Sequence, residues 1–526
     1  MIALFNKYYN YLFVCFSTIF NIFPKRIRPI VLLLISFLFF YFMSSKLIIC
    51  LLLTIISVYF STLLIDKLEK KKKLLIKSKS SEEKKSIKTK YQRFKRLVLI
   101  ACIIFNVGFL FIFKYLNFFT INLNYIFELL KFEHQFSVLK LIAPIGISFY
   151  TMEALSYLFD VYTGKIEADK NIIKVALFLS FFPQIIEGPM ARFSDTADDL
   201  YKCSDITYQN FCLGFQRFIW GVFKKIVIAN RLNPFVNTIF DNYGVFSGPM
   251  CFIGALGYTI LLYMEFSGTM DMVVGIGKIF DVNIPENFRQ PFFSKNISEF
   301  WTRWHISLGA WFRDYIYYPI SLSKPMRKLT VNARKVVGNH FGPLISSTIA
   351  LFAVWALNGL WHGAGWTFIL FGMYHFILIF LGNLFEPLIQ GIFNKFKWNR
   401  DNIGYRIFRS IKTTFFVIFG ELIFRAPSVT IAFTMIKKIF TDFSLKLSEF
   451  TVIGIDIADY LILFISLIII FIISILKERK VDVLEKINSL PVVVRWILFY
   501  ALAFYIVIFG AYGPGYHPVD PMYADF

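Results

Sequence analysis

Long apolar runs recur along this chain of 526 residues, and they constrain its fold more than any other feature. An apolar stretch of about 20 residues crosses a bilayer as a helix, because helices and closed barrels alone satisfy all backbone hydrogen bonds in lipid. Such stretches extend from residue 8 to residue 511, and 57% of all residues are hydrophobic. The sequence therefore predicts an all-α polytopic membrane protein with roughly ten to twelve transmembrane helices.

The chain is strongly basic, with 56 Lys and Arg against 34 Asp and Glu. In a soluble protein this excess indicates nucleic-acid binding. In a membrane protein, the enrichment of Lys and Arg in cytoplasmic loops explains it, so no nucleic acid partner is expected. Residues 66–96 hold 14 basic and 4 acidic residues and are predicted to form a cytoplasmic loop beside the lipid bilayer. The basic turn at 23–29 belongs on the same side, so the apolar run 30–65 is predicted to be a hairpin.

Several kinds of site are not predicted. The six cysteines form no CxxC pair and the histidines show no metal-ligand spacing, which argues against a disulfide framework and a metal site. The motifs HExxH and GxSxG and the phosphate-binding glycine loop are absent. Residues 1–16 lack a small-residue cleavage site and are interpreted as a retained helix rather than a signal peptide. Chemistry is therefore expected from polar residues within apolar segments.

The apolar segments between residues 130 and 300 are shorter, more polar and richer in Gly and Pro than those on either side. Interrupted backbone is tolerated at membrane depth only where protein or a water-filled cavity surrounds it, so this region predicts a funnel or tunnel. The chain has no internal repeat, which weakens a transporter interpretation without removing it.

The stretch NGLWHGAGW, residues 358–366, places His362 between two long apolar runs. Keeping an ionisable residue in a membrane is costly, which favours a functional role. A neutral imidazole in a low-dielectric cavity suits a general base for a hydroxyl. Gly359, Gly363 and Gly365 are expected to leave the backbone accessible to a substrate. The alternative is a helix-packing face at Gly359 and Gly363, with the imidazole hydrogen-bonded to a neighbouring helix.

The segment 299–320, EFWTRWHISLGAWFRDYIYYPI, has helical periodicity and carries a second histidine, His305. The residues that share one face of this predicted helix are Trp301, Trp304, His305, Leu308 and Phe312. Its charged residues Arg303, Arg313 and Asp314 should face a cavity, a partner charge or an interface. An interfacial aromatic belt with snorkelling Arg side chains explains the pattern equally well. His375 lies in an apolar helix and is interpreted as a core histidine.

Together, these motifs resemble the membrane-bound O-acyltransferases, in the bacterial branch that acts on alginate and teichoic acid. The motifs that carry the resemblance are FPKRIRPIVLLLISFLFFYF, APIGISFYTMEALSYLFDVY, FFPQIIEGPMARF, YMEFSGTMDMVVGIGKIF, ENFRQPFF, FWTRWHISLGAWFRDYIYYPI and NGLWHGAGWTFILFGMYH. They span nearly the whole chain, and the last two are highly specific together. The resemblance implies a single membrane domain over residues 1–526 with a catalytic core region at 130–385. In this fold a ring of helices surrounds a thinner centre crossed by a tunnel.

The resemblance also implies catalytic residues. The family's catalytic histidine falls on His362, and its second functional histidine falls on His305. His305 would position a thioester or stabilise an oxyanion, and the sequence leaves this choice open. Substrate-binding residues are not assigned. Further positions that match family motifs without an assigned role are Glu187, Arg192, Arg303, Arg313, Asp314 and Asn358.

The reaction that the resemblance implies is acyl transfer by a multi-pass protein of the bacterial cytoplasmic membrane. No bound cofactor is expected, because acetyl-CoA is the expected donor substrate. The acceptor is a cell-envelope or secreted polysaccharide, reached through an extracytoplasmic acyltransferase partner and the polysaccharide synthesis machinery. The long basic segment 66–96 leaves open an acyl-carrier protein as donor, and hence D-alanyl transfer to teichoic acid. A polysaccharide or lipid transporter and a non-catalytic scaffold are the rival classes.

Overall fold

The computed structural model describes residues 20–77, 79–512, 516 and 518–519. In this part of the chain the regular secondary structure is helical, and the one extended pairing is an isolated antiparallel bridge between Phe288 and Trp304. The predicted all-α class is confirmed. The helix predicted for residues 1–16 lies outside the described residues.

The α-helices are numbered here in chain order. The first ten are α1 (Arg28–Ser44), α2 (Ile48–Ile76), α3 (Ser81–Leu110), α4 (Leu116–Leu129), α5 (Ile147–Thr163), α6 (Ile172–Ser180), α7 (Phe193–Lys202), α8 (Tyr208–Val222), α9 (Asn230–Asp241) and α10 (Gly248–Ile279). They are followed by α11 (Ile297–Arg303), α12 (Ile306–Phe312), α13 (Tyr318–Ser321), α14 (Lys324–His362), α15 (Trp366–Lys395), α16 (Ile403–Arg425), α17 (Val429–Thr441), α18 (Ile457–Glu478), α19 (Val483–Asn488) and α20 (Val492–Phe509).

The chain divides into two compact units. The first comprises the described residues up to Gly214 together with Val273–Pro285, and the second comprises Phe215–Met272 and the described residues from Glu286 onward. Both candidate histidines lie in the second unit. The single domain over 1–526, its core region 130–385, the ring of helices and the tunnel stay predictions.

Helices of membrane-spanning character dominate the described residues. Seven helical segments have the length and apolar composition of a membrane span, which confirms a multi-pass membrane protein. Two of the segments, Arg28–Ile76 and Ser81–Leu129, are 49 residues long and each contains two α-helices. Seven is therefore a number of segments rather than of crossings.

The interruption predicted between residues 130 and 300 is confirmed in the first unit. The connection between α6 and α7, residues 181–192, is largely buried but not helical. Glu153 on α5 supports it, since its Oε1 accepts hydrogen bonds from Gln184 Nε2 at 2.9 Å and from the Ala191 amide at 3.2 Å. Partners inside the protein are the condition under which a membrane-embedded chain can leave helical geometry.

The basic segment 66–96 is helical and not the predicted loop. α2 extends into it as far as Ile76, and α3 begins within it at Ser81. Lys and Glu have high helix propensity, and Ser80 caps α3 with Glu83 in a capping box. The turn Ser45–Leu47 divides the apolar run before this segment into α1 and α2, and the hairpin predicted there stays a prediction. The cytoplasmic location of the segment stays a prediction.

Candidate active site

His362 is the last residue of α14, at a short glycine-containing connection to α15. Glycine has low helix propensity, so Gly363 and Gly365, both extended, favour the end of the helix here. The His362 side chain is buried. Its imidazole packs edge-on against Phe371 and Phe424, whose ring centroids lie 5.7 and 5.2 Å away. The candidate base is therefore surrounded by aromatic rings.

The glycines near His362 serve helix packing. A Cβ at Gly359 would lie 2.6 Å from the carbonyl oxygen of Phe368. A Cβ at Gly372 would lie 2.4 Å from the carbonyl oxygen of Trp355, so α14 and α15 approach each other closely. At Gly363 a Cβ would lie 2.2 Å from the Phe368 ring. The expectation that Gly359 and Gly363 leave the backbone open to a substrate is wrong, because Phe368 occupies that space.

The segment around His305 is not the single helix predicted for residues 299–320. α11 ends at Arg303, Trp304 is extended, and His305 has a left-handed backbone with φ of 49° before α12 begins. A residue with a side chain in a sparsely populated backbone region costs about 1–3 kcal/mol and persists where its surroundings impose it. The aromatic face predicted for a continuous helix is therefore broken at His305.

A strand-like segment upstream, residues 287–289, imposes this break. The Arg289 amide donates a hydrogen bond to the Arg303 carbonyl at 2.9 Å. On the other side of the break, the Ile306 amide donates to the Asn287 carbonyl at 3.0 Å. Backbone groups that a continuous helix would pair internally are thus satisfied by a neighbouring segment.

The side chain of Asn287 holds the His305 imidazole. Nδ1 of His305 lies 3.3 Å from Asn287 Oδ1, which also accepts hydrogen bonds from the amide and hydroxyl of Ser307. His305 lies outside the candidate membrane-spanning segments, and burial lowers its pKa to about 3. Asn287 lies in the motif ENFRQPFF, but sequence reasoning assigned it no role, because it is 18 residues from His305 and no periodicity connects the two.

Trp361 brings the two candidate histidines into one cluster. Its ring centroid lies 5.8 Å from that of His305 and 5.0 Å from that of His362. The first histidine comes from the break between α11 and α12, and the second from the end of α14. The structure thus places both predicted catalytic residues in one buried aromatic cluster. Their catalytic roles stay predictions.

The charged motif positions of the second unit have partner charges. Arg303 forms an ion pair with Glu478 at 2.7 Å, and Arg313 pairs with Asp314 at 3.0 Å with its own side chain 56% exposed. A partner charge was one of the predicted explanations for these residues. The other matched positions are Asn358, buried one turn before His362, and Glu187 and Arg192, which belong to the first unit.

His375 lies in the core, as predicted. It is fully buried, its Nδ1 accepts a hydrogen bond from Trp301 Nε1 at 3.3 Å, and its ring stacks on Trp355 with centroids 5.5 Å apart. Within the described residues, no group of three or more His, Cys, Asp or Glu side chains is arranged to hold a metal ion.

Comparison with known proteins identifies a family and several relatives that are similar to this chain. Residues 37–333 match MBOAT, the membrane-bound O-acyltransferase family. The chain is 36% identical to the probable alginate O-acetylase AlgI of Pseudomonas aeruginosa, over 64% of this chain and 59% of that protein. It is 34% identical to the peptidoglycan O-acetyltransferase of Helicobacter pylori, over 56% and 57% of the two chains. It is 30% identical to the teichoic acid D-alanyltransferase of Bacillus subtilis, over 54% and 69%. The chain therefore covers less than two thirds of the length of the two O-acetylating relatives.

Proposed function

The chain belongs to the membrane-bound O-acyltransferase family, and on this premise we propose that it is a membrane O-acetyltransferase. It moves an acetyl group from acetyl-CoA across the cytoplasmic membrane for the O-acetylation of an extracytoplasmic or secreted polysaccharide. The observation that carries the proposal is the meeting of His305 and His362 around Trp361 in one buried cluster. Burying two ionisable side chains together is costly, and such groups collect at functional sites, which favours a reaction over packing.

His362 acts as the general base of the proposed reaction. It takes the proton of the acceptor hydroxyl while the hydroxyl oxygen attacks the carbonyl carbon of the thioester. A C–O ester bond forms, the C–S bond breaks, and the leaving sulfur takes both electrons of the broken bond. The proton then passes from His362 to that sulfur, so the products are the O-acetyl ester and free CoA. The aromatic rings of Phe371 and Phe424 exclude water that would compete with the hydroxyl.

Acetyl is favoured over D-alanyl as the transferred group. The alginate O-acetylase and the peptidoglycan O-acetyltransferase are 36% and 34% identical to this chain, against 30% for the D-alanyltransferase of Bacillus subtilis. D-alanyl transfer from an acyl-carrier protein is the second candidate. Its support is the basic helical segment 66–96, whose excess of positive charge suits an acidic carrier surface.

The proposed location is the bacterial cytoplasmic membrane, with the donor on the inner side and the polymer outside. An extracytoplasmic acyltransferase partner would receive the acetyl group and pass it to the polysaccharide, beside the machinery that makes the polymer. The relatives are named for alginate, peptidoglycan and teichoic acid, so the acceptor class proposed here is a polymer rich in hydroxyl groups.

Isolated membranes that contain the protein test the reaction with acetyl-CoA labelled in its acetyl group. Label is expected in the polysaccharide, and His362→Ala should reduce its incorporation on the order of 10²–10⁴-fold, the contribution of a general base. His340→Ala is the matched control, because His340 is exposed on the same helix and should leave incorporation unchanged. If no label is transferred from acetyl-CoA but D-alanine is transferred from its carrier protein, D-alanyl transfer replaces O-acetyl transfer as the proposed function.

The same variants separate the rival classes. A transporter predicts that His362→Ala slows polymer export while the acyl content of the exported polymer is unchanged. A non-catalytic scaffold predicts that His305→Ala and His362→Ala both retain acylation. Loss of acylation with export intact supports the enzyme.

A further inference from the structure

Asn287 is buried in the second unit, and both ends of its side-chain amide have partners. Its Oδ1 lies 3.0 Å from the amide nitrogen of Ser307, 2.9 Å from the Ser307 Oγ and 3.3 Å from the Nδ1 of His305. Its Nδ2 lies 3.2 Å from the sulfur of Met270. The carboxamide is therefore held between Ser307 at the start of α12 and the side chain of Met270 on α10.

The Ser307 amide determines which way round the Asn287 carboxamide lies. A backbone N–H can only donate, so the atom that faces it must be the carbonyl oxygen, and the NH₂ group faces the weak acceptor sulfur. A carbonyl oxygen can only accept. The Nδ1 of His305 must therefore carry a hydrogen, and in a neutral imidazole the Nε2 then carries none.

The surroundings of His305 favour the neutral ring. The residue is 2% exposed, and its imidazole packs edge-on against Phe266, with a centroid distance of 4.8 Å, and against Trp361. Burial among apolar rings disfavours an imidazolium ion. The left-handed backbone of His305 and the bonds to Asn287 also fix the direction in which the ring lies.

We infer that Asn287 is a positioning residue that holds His305 as the Nδ1–H tautomer, with the lone pair of Nε2 as an acceptor. The consequence for chemistry rests on the proposed acyl transfer. An oxyanion requires hydrogen-bond donors, so a neutral His305 in this tautomer does not stabilise it. His305 instead accepts a hydrogen bond from a substrate, such as an amide N–H of the arm that carries the thioester, and so positions the donor.

Nitrogen-15 NMR of the full-length protein labelled at histidine tests the tautomer directly, because protonated and unprotonated ring nitrogens have well-separated resonances. The chain has six histidines, and the His305 signals are those that disappear in His305→Gln. The wild type is expected to show a protonated Nδ1 and an unprotonated Nε2. A protonated Nε2, with or without a protonated Nδ1, would overturn the inference whatever the protein catalyses.

Substitutions at Asn287 test the positioning role. Asn287→Leu removes the acceptor, so it should shift the His305 signals away from the Nδ1–H form and, because the donor is then misplaced, lower acyl transfer roughly 100-fold. Asn287→Asp keeps an oxygen acceptor and should restore the tautomer. Ser307→Ala is the matched control, because it removes one donor to the same oxygen and leaves the imidazole contact in place. An unchanged tautomer in Asn287→Leu would refute the role assigned to Asn287.

The inference and the proposed function fail separately. If the wild type shows the Nδ1–H tautomer while His362→Ala keeps full acyl transfer, the proposed function is wrong and the assignment of the tautomer stands. If His362→Ala abolishes transfer while His305 is protonated at Nε2, the inference alone is wrong.

Discussion

Gly372 on α15 shows how a single missing side chain sets the distance between two helices of the site. A Cβ there would lie 2.4 Å from the Trp355 carbonyl oxygen and 3.3 Å from the Cα of Gly359. Gly372→Ala should therefore push α15 away from α14 and lower the free energy of unfolding by about 1–3 kcal/mol, as overpacking does. The measurement is thermal or denaturant unfolding of the purified protein in detergent.

Gly382, on the same helix, supplies the matched control. Among the described residues nothing beyond its own turn of helix lies within 4 Å of an added Cβ, so Gly382→Ala should be neutral or stabilising by up to about 1 kcal/mol. Equal losses of stability in the two variants would contradict the close packing at Gly372.

Asp271 is the buried counter-charge of two cations. It pairs with Lys224 at 2.6 Å and with Arg217 at 2.7 Å. Asp271→Asn leaves the buried ammonium of Lys224 without this carboxylate, so the free energy of unfolding should fall by about 3–5 kcal/mol. Glu386→Gln, which breaks a more exposed pair with Arg400, should cost less than about 1 kcal/mol in the same unfolding experiment. Similar costs would show that the Asp271 pairs are solvated.

Some residue-level features were predictable from the sequence and others were not. The burial of His362 and His375 was predictable, because apolar runs of helical length surround both residues. The role of Gly359 and Gly363 was not predictable, since small residues can make room either for a substrate or for a second helix. The position of Phe368 distinguishes these cases, and it depends on how α14 meets α15.

At the scale of elements, α14 contains a break at Gly338, whose φ of 82° and ψ of −178° are accessible almost only to glycine. Gly338→Ala should destabilise the protein by about 1–3 kcal/mol, although nothing described lies within 4 Å of an added Cβ. The cost comes from the backbone and not from a contact. Gly391→Ala on α15 is the control, because Gly391 has the same open space in a helical backbone. Indistinguishable denaturant midpoints for the two variants would contradict the break.

The break between α11 and α12 could not be predicted from local pattern. The periodicity of residues 299–320 fits one helix, and the segment that interrupts it, 287–289, pairs through backbone atoms that every residue has. The helices at 66–96 were different, because their signals were in the sequence. Lys-rich composition and the capping residues Ser80 and Glu83 predict helix, but the charge of the segment favoured the interpretation as a loop.

At the scale of the whole molecule, the membrane class and the family were predictable, while the division into units was not. Apolar helices of spanning length dominate the described residues, and the motifs from APIGISFY to YIYYPI lie within the family match at residues 37–333, whereas NGLWHGAGW, with His362, lies beyond it. The two units could not be foreseen, because Val273–Pro285 joins the first unit from a distant part of the sequence. Amino-acid composition thus predicts that the chain resides in a membrane, whereas contacts between distant parts of the sequence decide how it divides into compact units.

The orientation of the hairpin α1–α2 in the membrane is the last prediction. Lys and Arg are retained on the cytoplasmic side, so the basic segment 66–96 should be cytoplasmic and the turn Ser45–Leu47 should be outside. Ser45 and Ser86 are exposed serines on either side of α2, and cysteine at each position gives a matched pair of reporters. In intact spheroplasts a membrane-impermeant maleimide should label Ser45→Cys, whereas Ser86→Cys should be labelled only after permeabilisation. The parent protein gives the background from its own cysteines. Labelling of both positions from the same side would show that α2 does not cross the bilayer. Labelling of Ser86→Cys in intact spheroplasts, with Ser45→Cys labelled only after permeabilisation, would show that segment 66–96 is outside and would contradict the predicted orientation.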